Sequence, residues 1–301
     1  MRRPALRADI LMLITAMIWG SGFVAQTAGM HHIGPYLYTG LRFALGSLCL
    51  LPLVLRAPTG TRDMQPEPFL NRGLLLGGLM MGLALATGIN LQQVGLLFTS
   101  VTNAGFITGL YVIVVPLLGL LLGHKTGMGT WLGAGLAVAG MFLLSVGDNF
   151  HVSTGDWLQL IGAFVWGGHV ILVGVFASRH DPIRLAFLQF LTCSVVSLIL
   201  ALVFEEIQLQ SIIAAGPALL YGGVVAVGIG YTLQVIAQKD AIASHAAIIL
   251  SLEAVFAAIA GALLLNESLH LKGYFGCALM LAGMLLAQLW PKKPEPSTVR
   301  A

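Results

Sequence analysis

The sequence predicts an all-α integral membrane protein with ten transmembrane helices, arranged as two inverted five-helix repeats. Three observations lead to this prediction. The 301-residue chain is 57% hydrophobic and only 9% charged, whereas soluble proteins carry about 25% charged residues. Its apolar stretches have the length of roughly 20 residues that a helix needs to cross a bilayer. Several stretches of the first half also recur, in order, in the second half.

Polar connectors divide the chain into ten apolar stretches, which cover residues 9–28, 35–55, 73–92, 99–121, 129–147, 156–176, 183–204, 216–237, 243–265 and 271–290. Continuous runs rich in Leu, Ala and Gly favour helices, because a membrane β-barrel would show alternating strands of about ten residues. Basic residues precede the first stretch, as they do in a signal peptide. Its second copy lies in mid-chain, where no signal is cleaved, so we expect a retained span.

The internal repeat supports the first two spans of each half. ADILMLITAMIWG at 8–20 in span one returns as GDWLQLIGAFVWG at 155–167 in span six, a shift of 147 residues. Span two, from Pro35, and span seven, from Pro182, continue in the same frame.

The remaining spans repeat as well. Gly88 to Gln92 in span three match Gly230 to Gln234 in span eight at a shift of 142 residues. At a shift of 143, the stretch of span four that ends at His124 matches the stretch of span nine that ends at Glu267. In the same frame, AGMFLL at 139–144 in span five matches AGMLLA at 282–287 in span ten.

A repeat of five spans has a topological consequence. Five is odd, so the second copy enters the membrane from the side opposite to the first. We expect a first repeat at 1–147, a second repeat at 148–290 and a cytoplasmic tail at 291–301. Inverted repeats are typical of secondary transporters, in which two similar halves frame a central site. The alternative is that the duplication only enlarged a stable bundle.

Basic residues predict the orientation. Of the fifteen Lys and Arg residues, thirteen fall on the side of the N-terminus, Lys272 falls on the other side and Arg42 lies inside a span. Lys and Arg in short loops mark the cytoplasmic side, so both termini are expected in the cytoplasm. Short loops and the absence of an organelle-targeting sequence fit a bacterial inner membrane.

Short motifs carry a family resemblance. They are the Trp-Gly pairs at 19–20 and 166–167, Arg42-Phe43, LEAVFAA at 252–258 and LLLNESL at 263–269. With them the chain resembles the EamA-type transporters of the drug/metabolite transporter superfamily, over almost its whole length. The resemblance implies a ten-helix fold that moves small organic metabolites such as amino acids or their relatives. This chain departs from the family in having Glu253-Ala254 where many members have Glu-Pro.

Two ionisable residues lie deep inside predicted spans, Arg42 in span two and Glu253 in span nine. A charge at mid-membrane costs several kcal/mol, about 2.5 to 3.5 on insertion scales, and therefore usually has a function. Arg42 would hold a substrate carboxylate or compensate an acid. Glu253 would hold a substrate amine or carry a coupled proton. The alternative for both is a structural pairing that holds the bundle together.

Helical spacing places weaker polar and aromatic residues on shared faces, where they would line a substrate pathway together with Arg42 and Glu253. They are Trp19, Gln26, Asn90, Gln93, Asn103, Tyr111, Trp166, His169, Gln189, Tyr231, Gln234 and His245. Such a lining suits an amphipathic organic solute better than a bare ion. For each residue the alternative is an interhelical hydrogen bond of about 0.6 kcal/mol.

These observations predict a secondary transporter of small organic metabolites, amino acids or related amphipathic solutes, that works by alternating access, with export as the expected direction. Coupled protons and the lipid bilayer are the other expected partners, and we expect no nucleic acid, cofactor or metal. The alternative is a membrane-embedded enzyme acting on lipid-linked substrates. Such enzymes need clustered catalytic groups, whereas the acids here are scattered and His31-His32 is the sole His pair. A passive channel would show charge rings.

Overall fold

The computed structural model describes residues 3–55, 71–123, 126–145, 153–264 and 271–290. All the regular secondary structure within these ranges is helical. The helices are α1 Arg3–Met30, α2 Pro35–Leu55, α3 Arg72–Gly95, α4 Val101–Gly109, α5 Tyr111–Leu121, α6 Met128–Ser145, α7 Thr154–Ala177, α8 Pro182–Phe204, α9 Leu209–Ala214, α10 Gly216–Leu220, a π-helix Tyr221–Tyr231, α11 Thr232–Gln238, α12 Ala243–Leu250, α13 Glu253–Leu264 and α14 Leu271–Leu289. The predicted repeat boundary at 147 and 148, His124, Glu267 and the tail 291–301 lie outside the described residues.

Eight segments in the described ranges are long and apolar enough to cross a membrane. They are Leu6–Met30, Pro35–Leu55, Arg72–Gly95, Val101–Leu121, Thr154–Ala177, Pro182–Phe204, Gly216–Gln238 and Ala243–Leu264. Two shorter apolar helices, Met128–Leu143 and Leu271–Ala287, occupy the positions of predicted spans five and ten. Large apolar side chains such as Leu202 and Phe204 are exposed on the outside of the bundle. The chain is therefore a multi-pass membrane protein, for which ten crossings stay a prediction.

Three of the predicted spans are not continuous α-helices. Span four breaks at Leu110, between α4 and α5, and span nine breaks between α12 and α13. At each break the backbone tightens: the N–H of Leu110 donates to the carbonyl of Ile107 at 3.1 Å, and that of Leu252 to Ile249 at 3.2 Å. The repeat shift of 143 residues relates Leu110 to Glu253, which lies within two positions of the break in span nine. Span eight contains the π-helix Tyr221–Tyr231.

Side-chain caps explain where several helices begin. Asn71 accepts hydrogen bonds from the first turn of α3, and Ser153 forms a capping box with Asp156 at the start of α7. α2 is capped by the other half of the chain. The carboxylate of Glu205, directly after α8, accepts the backbone N–H groups of Tyr36 at 2.7 Å and Leu37 at 2.8 Å. These contacts satisfy N–H groups that have no partner within the helix.

The packing between the two halves of the chain follows a two-fold pattern. α2 packs on α8, and α6 packs on α14, each helix meeting its own sequence counterpart. α3 packs on α7, and the π-helix packs on α1 in the same way. Likewise α1 packs on α13, as α7 packs on α4 and α5. Exchanging the halves thus maps the α2–α8 and α6–α14 contacts onto themselves and each of the other contacts onto its counterpart.

Candidate functional site

A cavity lies at the centre of the bundle, between helices of both halves. It is small, with about 30 Å³ for the centres of water molecules, which is room for two or three waters at about 10–15 Å³ each. Its lining is Trp19, Gly22, Phe23, Gln26, Arg42, Ile89, Gln92, Thr108, Tyr111, Trp166, Val170, Ala226, Tyr231, Gln234 and Glu253. This conformation therefore holds the cavity nearly closed around polar and aromatic side chains.

Aromatic rings form the wall of the cavity around Tyr231. The ring centroid of Trp19 lies 4.4 Å from that of Tyr231, and the ring of Trp166 stacks on Tyr231 at 6.3 Å. The two tryptophans pack alike: a Cβ added to Gly230 would lie 2.9 Å from the Trp19 ring, and one added to Gly88 3.2 Å from the Trp166 ring. A methyl group at Gly230 would displace the Trp19 ring, and one at Gly88 would be in tight contact with the Trp166 ring.

Arg42 forms a buried positive corner of the cavity. Its side chain is 2% exposed. The guanidinium donates to the amide oxygens of Gln26 and Gln93, both at 3.3 Å, and its Nε atom has no hydrogen-bond partner. The ring of Tyr38 lies 5.2 Å from the guanidinium carbon. The hydrogen-bond partners of this cation are neutral, and no carboxylate of the described residues is among them.

Glu253 forms the acidic corner. It is 4% exposed and is the first residue of α13, where the partial positive charge of a helix N-terminus stabilises an anion. The Tyr111 hydroxyl is within electrostatic reach of this carboxyl. Tyr231 lines the same cavity as Arg42 and Glu253. The cavity therefore holds a buried cation, a buried acid and the ring of Tyr231.

The cavity brings together eight of the fourteen residues predicted for the pathway: Trp19, Gln26, Arg42, Tyr111, Trp166, Tyr231, Gln234 and Glu253. Gln93 is not part of the lining, but its amide oxygen accepts a hydrogen bond from Arg42. Asn90 instead donates to Ser197 of α8 at 2.8 Å.

The other four predicted residues lie away from the cavity lining. His169 and Gln189 form a buried pair, with 3.0 Å between the ring nitrogen and the amide oxygen. Asn103 is half-buried in the first turn of α4, and its backbone N–H donates to the Ser100 hydroxyl. His245 is half-buried in α12. His169 and Gln189 therefore contribute an interhelical contact between α7 and α8, and none of the four residues lines the cavity.

Sequence reasoning missed several lining residues. Thr108 lines the cavity, and the repeat offered a signal for it, since the shift of 143 residues pairs it with the polar Ser251. Phe23 gave no such signal, because an apolar residue in an apolar span says nothing about the face it occupies.

Comparison with known proteins identifies the family. Residues 6–146 and 153–289 each match the EamA-like transporter family. An uncharacterized transporter of Archaeoglobus fulgidus is 30% identical over 94% of this chain and 86% of its own. The uncharacterized transporter YoaV of Bacillus subtilis is 22% identical over 91% of this chain and 94% of its own. A solved crystal structure shares the fold, with a TM-score of 0.72, 18% identity and coverage of 94% and 96% of the two chains. The chain belongs to the EamA-like transporter family of the drug/metabolite transporter superfamily.

Proposed function

We propose that this membrane transporter is a secondary transporter of amino acids or related amphipathic solutes, and that it exports them. The observation that carries the proposal is the presence of a buried cation, Arg42, and a buried acid, Glu253, in one cavity that Tyr231 also lines. A zwitterion with a short apolar body matches this arrangement. Its carboxylate would bind Arg42, its amine would bind Glu253, and its body would lie against the rings of Trp19 and Tyr231.

The cost of the two charges supports a role in binding. An ionisable group at mid-membrane costs several kcal/mol, and a purely structural pair would recover that cost through direct contact. Here the partners of Arg42 are the amides of Gln26 and Gln93 instead. A substrate that carries both charges would supply the missing counterions.

Alternating access between two inverted repeats, 1–147 and 148–290, is the proposed mechanism. The matched contacts of Trp19 with Gly230 and of Trp166 with Gly88 support it, because equivalent closures would then lie on the two sides of the cavity. The broken spans four and nine also fit transporters, in which discontinuous helices meet at the binding site. The termini would lie in the cytoplasm of a bacterium, with the chain in its inner membrane.

Transport in proteoliposomes tests the proposal. We expect saturable uptake of at least one radiolabelled zwitterion from a panel of amino acids and related metabolites. We also expect a proton gradient across the vesicle membrane to change the rate. Absence of saturable flux over the whole panel would contradict the proposal. Turnover of a lipid-linked substrate by the same protein would favour a membrane-embedded enzyme instead.

Arg42→Met keeps most of the side-chain volume and removes the charge. Because a hydrogen bond to a charged group contributes about 1.5–3 kcal/mol, we expect the half-saturating concentration of a carboxylate-bearing solute to rise by about 10- to 100-fold. The matched control is Gln189→Met, at the equivalent position of the second repeat, which should leave that concentration unchanged. Unchanged half-saturation in a folded Arg42→Met would assign Arg42 a structural role. Should Arg42→Met fail to fold, Arg42→Lys keeps the charge and tests the loss of the guanidinium fork.

A further inference from the structure

Three buried polar side chains form a hydrogen-bonded network at the end of the bundle opposite the first turn of α1 and the last turn of α14, which define the side called here the side of the termini. The amide nitrogen of Gln92 donates to the hydroxyl of Thr108 at 3.2 Å, and that hydroxyl donates to the amide oxygen of Gln159 at 3.2 Å. The amide nitrogen of Gln159 donates to the backbone carbonyl of Gln92 at 2.9 Å. The three residues are at most 4% exposed. We call this network the polar latch.

The polar latch joins the two halves of the chain. Gln92 in α3 and Thr108 in α4 belong to the first half, and Gln159 in α7 belongs to the second. Both hydrogen bonds of Gln159 therefore cross between the halves. None of the three side chains is among the buried polar groups that lack a partner in the described chain. Separating α7 from α3 and α4 would break two hydrogen bonds in a water-poor interior.

The equivalent position on the side of the termini has no such network. The shifts of 142, 143 and 147 residues relate Gln92 to Gln234, Thr108 to Ser251 and Gln159 to Met12. Ser251 donates its hydroxyl to the carbonyl of Ile248, in its own helix. The amide oxygen of Gln234 is buried without a partner. Met12 is fully buried and apolar, so the residue that would complete the network cannot form a hydrogen bond of this kind.

We propose that this difference sets the resting orientation of the transporter, with Gln159 and Met12 as the residues that decide it. Closure on the side opposite the termini is held by the polar latch, whereas the contact of α1 with the π-helix carries two longer hydrogen bonds, from Thr15 to the carbonyl of Gly230 and from Trp19 to the carbonyl of Ala226, both at 3.3 Å. The cavity therefore opens more readily toward the termini. This inference rests on the alternating access proposed above. Since an interhelical hydrogen bond in a membrane shifts an equilibrium by about threefold, the two bonds of Gln159 correspond to about eightfold.

Labelling of a cavity cysteine from either side of the membrane tests the inference without a known substrate. Gly22 lines the cavity, and a Cβ there would lie 3.7 Å from Ala226, an ordinary contact. Gly22→Cys is labelled with a membrane-impermeant maleimide in right-side-out and in inside-out vesicles. Labelling of the protein without Gly22→Cys is subtracted, because Cys49 is exposed. The ratio of the two labelling rates reports the orientation.

Four variants in the Gly22→Cys background decide the outcome. We expect faster labelling from the side of the termini in the parent protein. Gln159→Met should shift the ratio about eightfold toward the opposite side, and Met12→Gln should shift it in the same direction by completing a second latch. Met12→Leu, which adds no polar group, should leave the ratio unchanged. Thr108→Val removes the centre of the polar latch and decides in place of Gln159→Met if that variant does not fold.

Two results would overturn the inference in distinguishable ways. Labelling from both sides with the same ratio in Gln159→Met, Met12→Gln and the parent would show that the polar latch does not set the orientation. Alternating access would remain in place. Labelling from one side alone in every variant would contradict alternating access itself, and with it the basis of the bias.

Discussion

Glu253→Gln is expected to abolish the effect of a proton gradient on transport. Gln has nearly the same shape as Glu but cannot release or take up a proton near neutral pH. Glu253 lines the cavity and is 4% exposed, so a proton bound there would be shielded from the water on either side. The rate with a gradient should fall to the rate without one. Exchange of substrate across the membrane at equal pH should persist at a reduced level.

Flux measurements in proteoliposomes with and without an imposed pH difference check this prediction. The matched control is Glu205→Gln, the same substitution at a carboxylate that caps α2 and lies outside the cavity lining. That variant should keep its gradient dependence even if it is less stable. Wild-type coupling in Glu253→Gln would exclude Glu253 as the proton carrier and leave it the role of binding the substrate amine.

Gly20→Ala is expected to cost more stability than any other single methyl group added near the cavity. A Cβ at Gly20 would lie 2.4 Å from the Cβ of Phe256 and 2.7 Å from the backbone nitrogen of Ala257 and the carbonyl oxygen of Glu253. Two of these atoms are backbone, so α1 and α13 would have to separate. Overpacking of this kind costs about 1–3 kcal/mol. The separation would also move the first turn of α13 and Glu253 with it.

Thermal unfolding of the purified protein in detergent measures the effect, and two glycines provide matched controls. A Cβ at Gly167, the equivalent position in the second half, would meet side-chain atoms of Val114, the nearest at 2.6 Å, with no backbone atom within 3.4 Å. Gly22→Ala would meet only Ala226, at 3.7 Å. The melting temperature should therefore fall most for Gly20→Ala, less for Gly167→Ala and least for Gly22→Ala. Equal melting temperatures for Gly20→Ala and Gly22→Ala would contradict the close contact of α1 with α13.

Part of the cavity was predictable from spacing. Trp19, Arg42, Tyr231 and Glu253 all line it, as their placement in the predicted spans indicated. The same reasoning placed His169 on the pathway, but its ring instead pairs with the amide of Gln189. A polar residue on a membrane helix serves a cavity or an interhelical hydrogen bond equally well, and both uses have the same periodicity. The packing partner decides between them, and a sequence pattern does not name that partner.

The breaks at Leu110 and next to Leu252 show a second limit. Hydropathy places spans four and nine because burial in lipid requires about 20 apolar residues whatever their neighbours are. Hydropathy does not determine whether a backbone N–H in such a span donates its hydrogen bond to the carbonyl three residues earlier or four residues earlier. The helices packed against it decide the bond pattern, so the breaks are visible only in the structure.

By itself the sequence determined that this protein lies in a membrane, the course of its apolar segments, their internal repetition and the family to which the chain belongs. These properties depend on composition and on order along the chain, because each apolar segment meets the length requirement of the bilayer independently of the others. The tertiary structure alone decided that Arg42 and Glu253 share one cavity and that Gln159, but not Met12, completes a hydrogen-bonded network. Such properties depend on which faces meet across helices far apart in sequence, and the packing of the whole bundle sets those contacts.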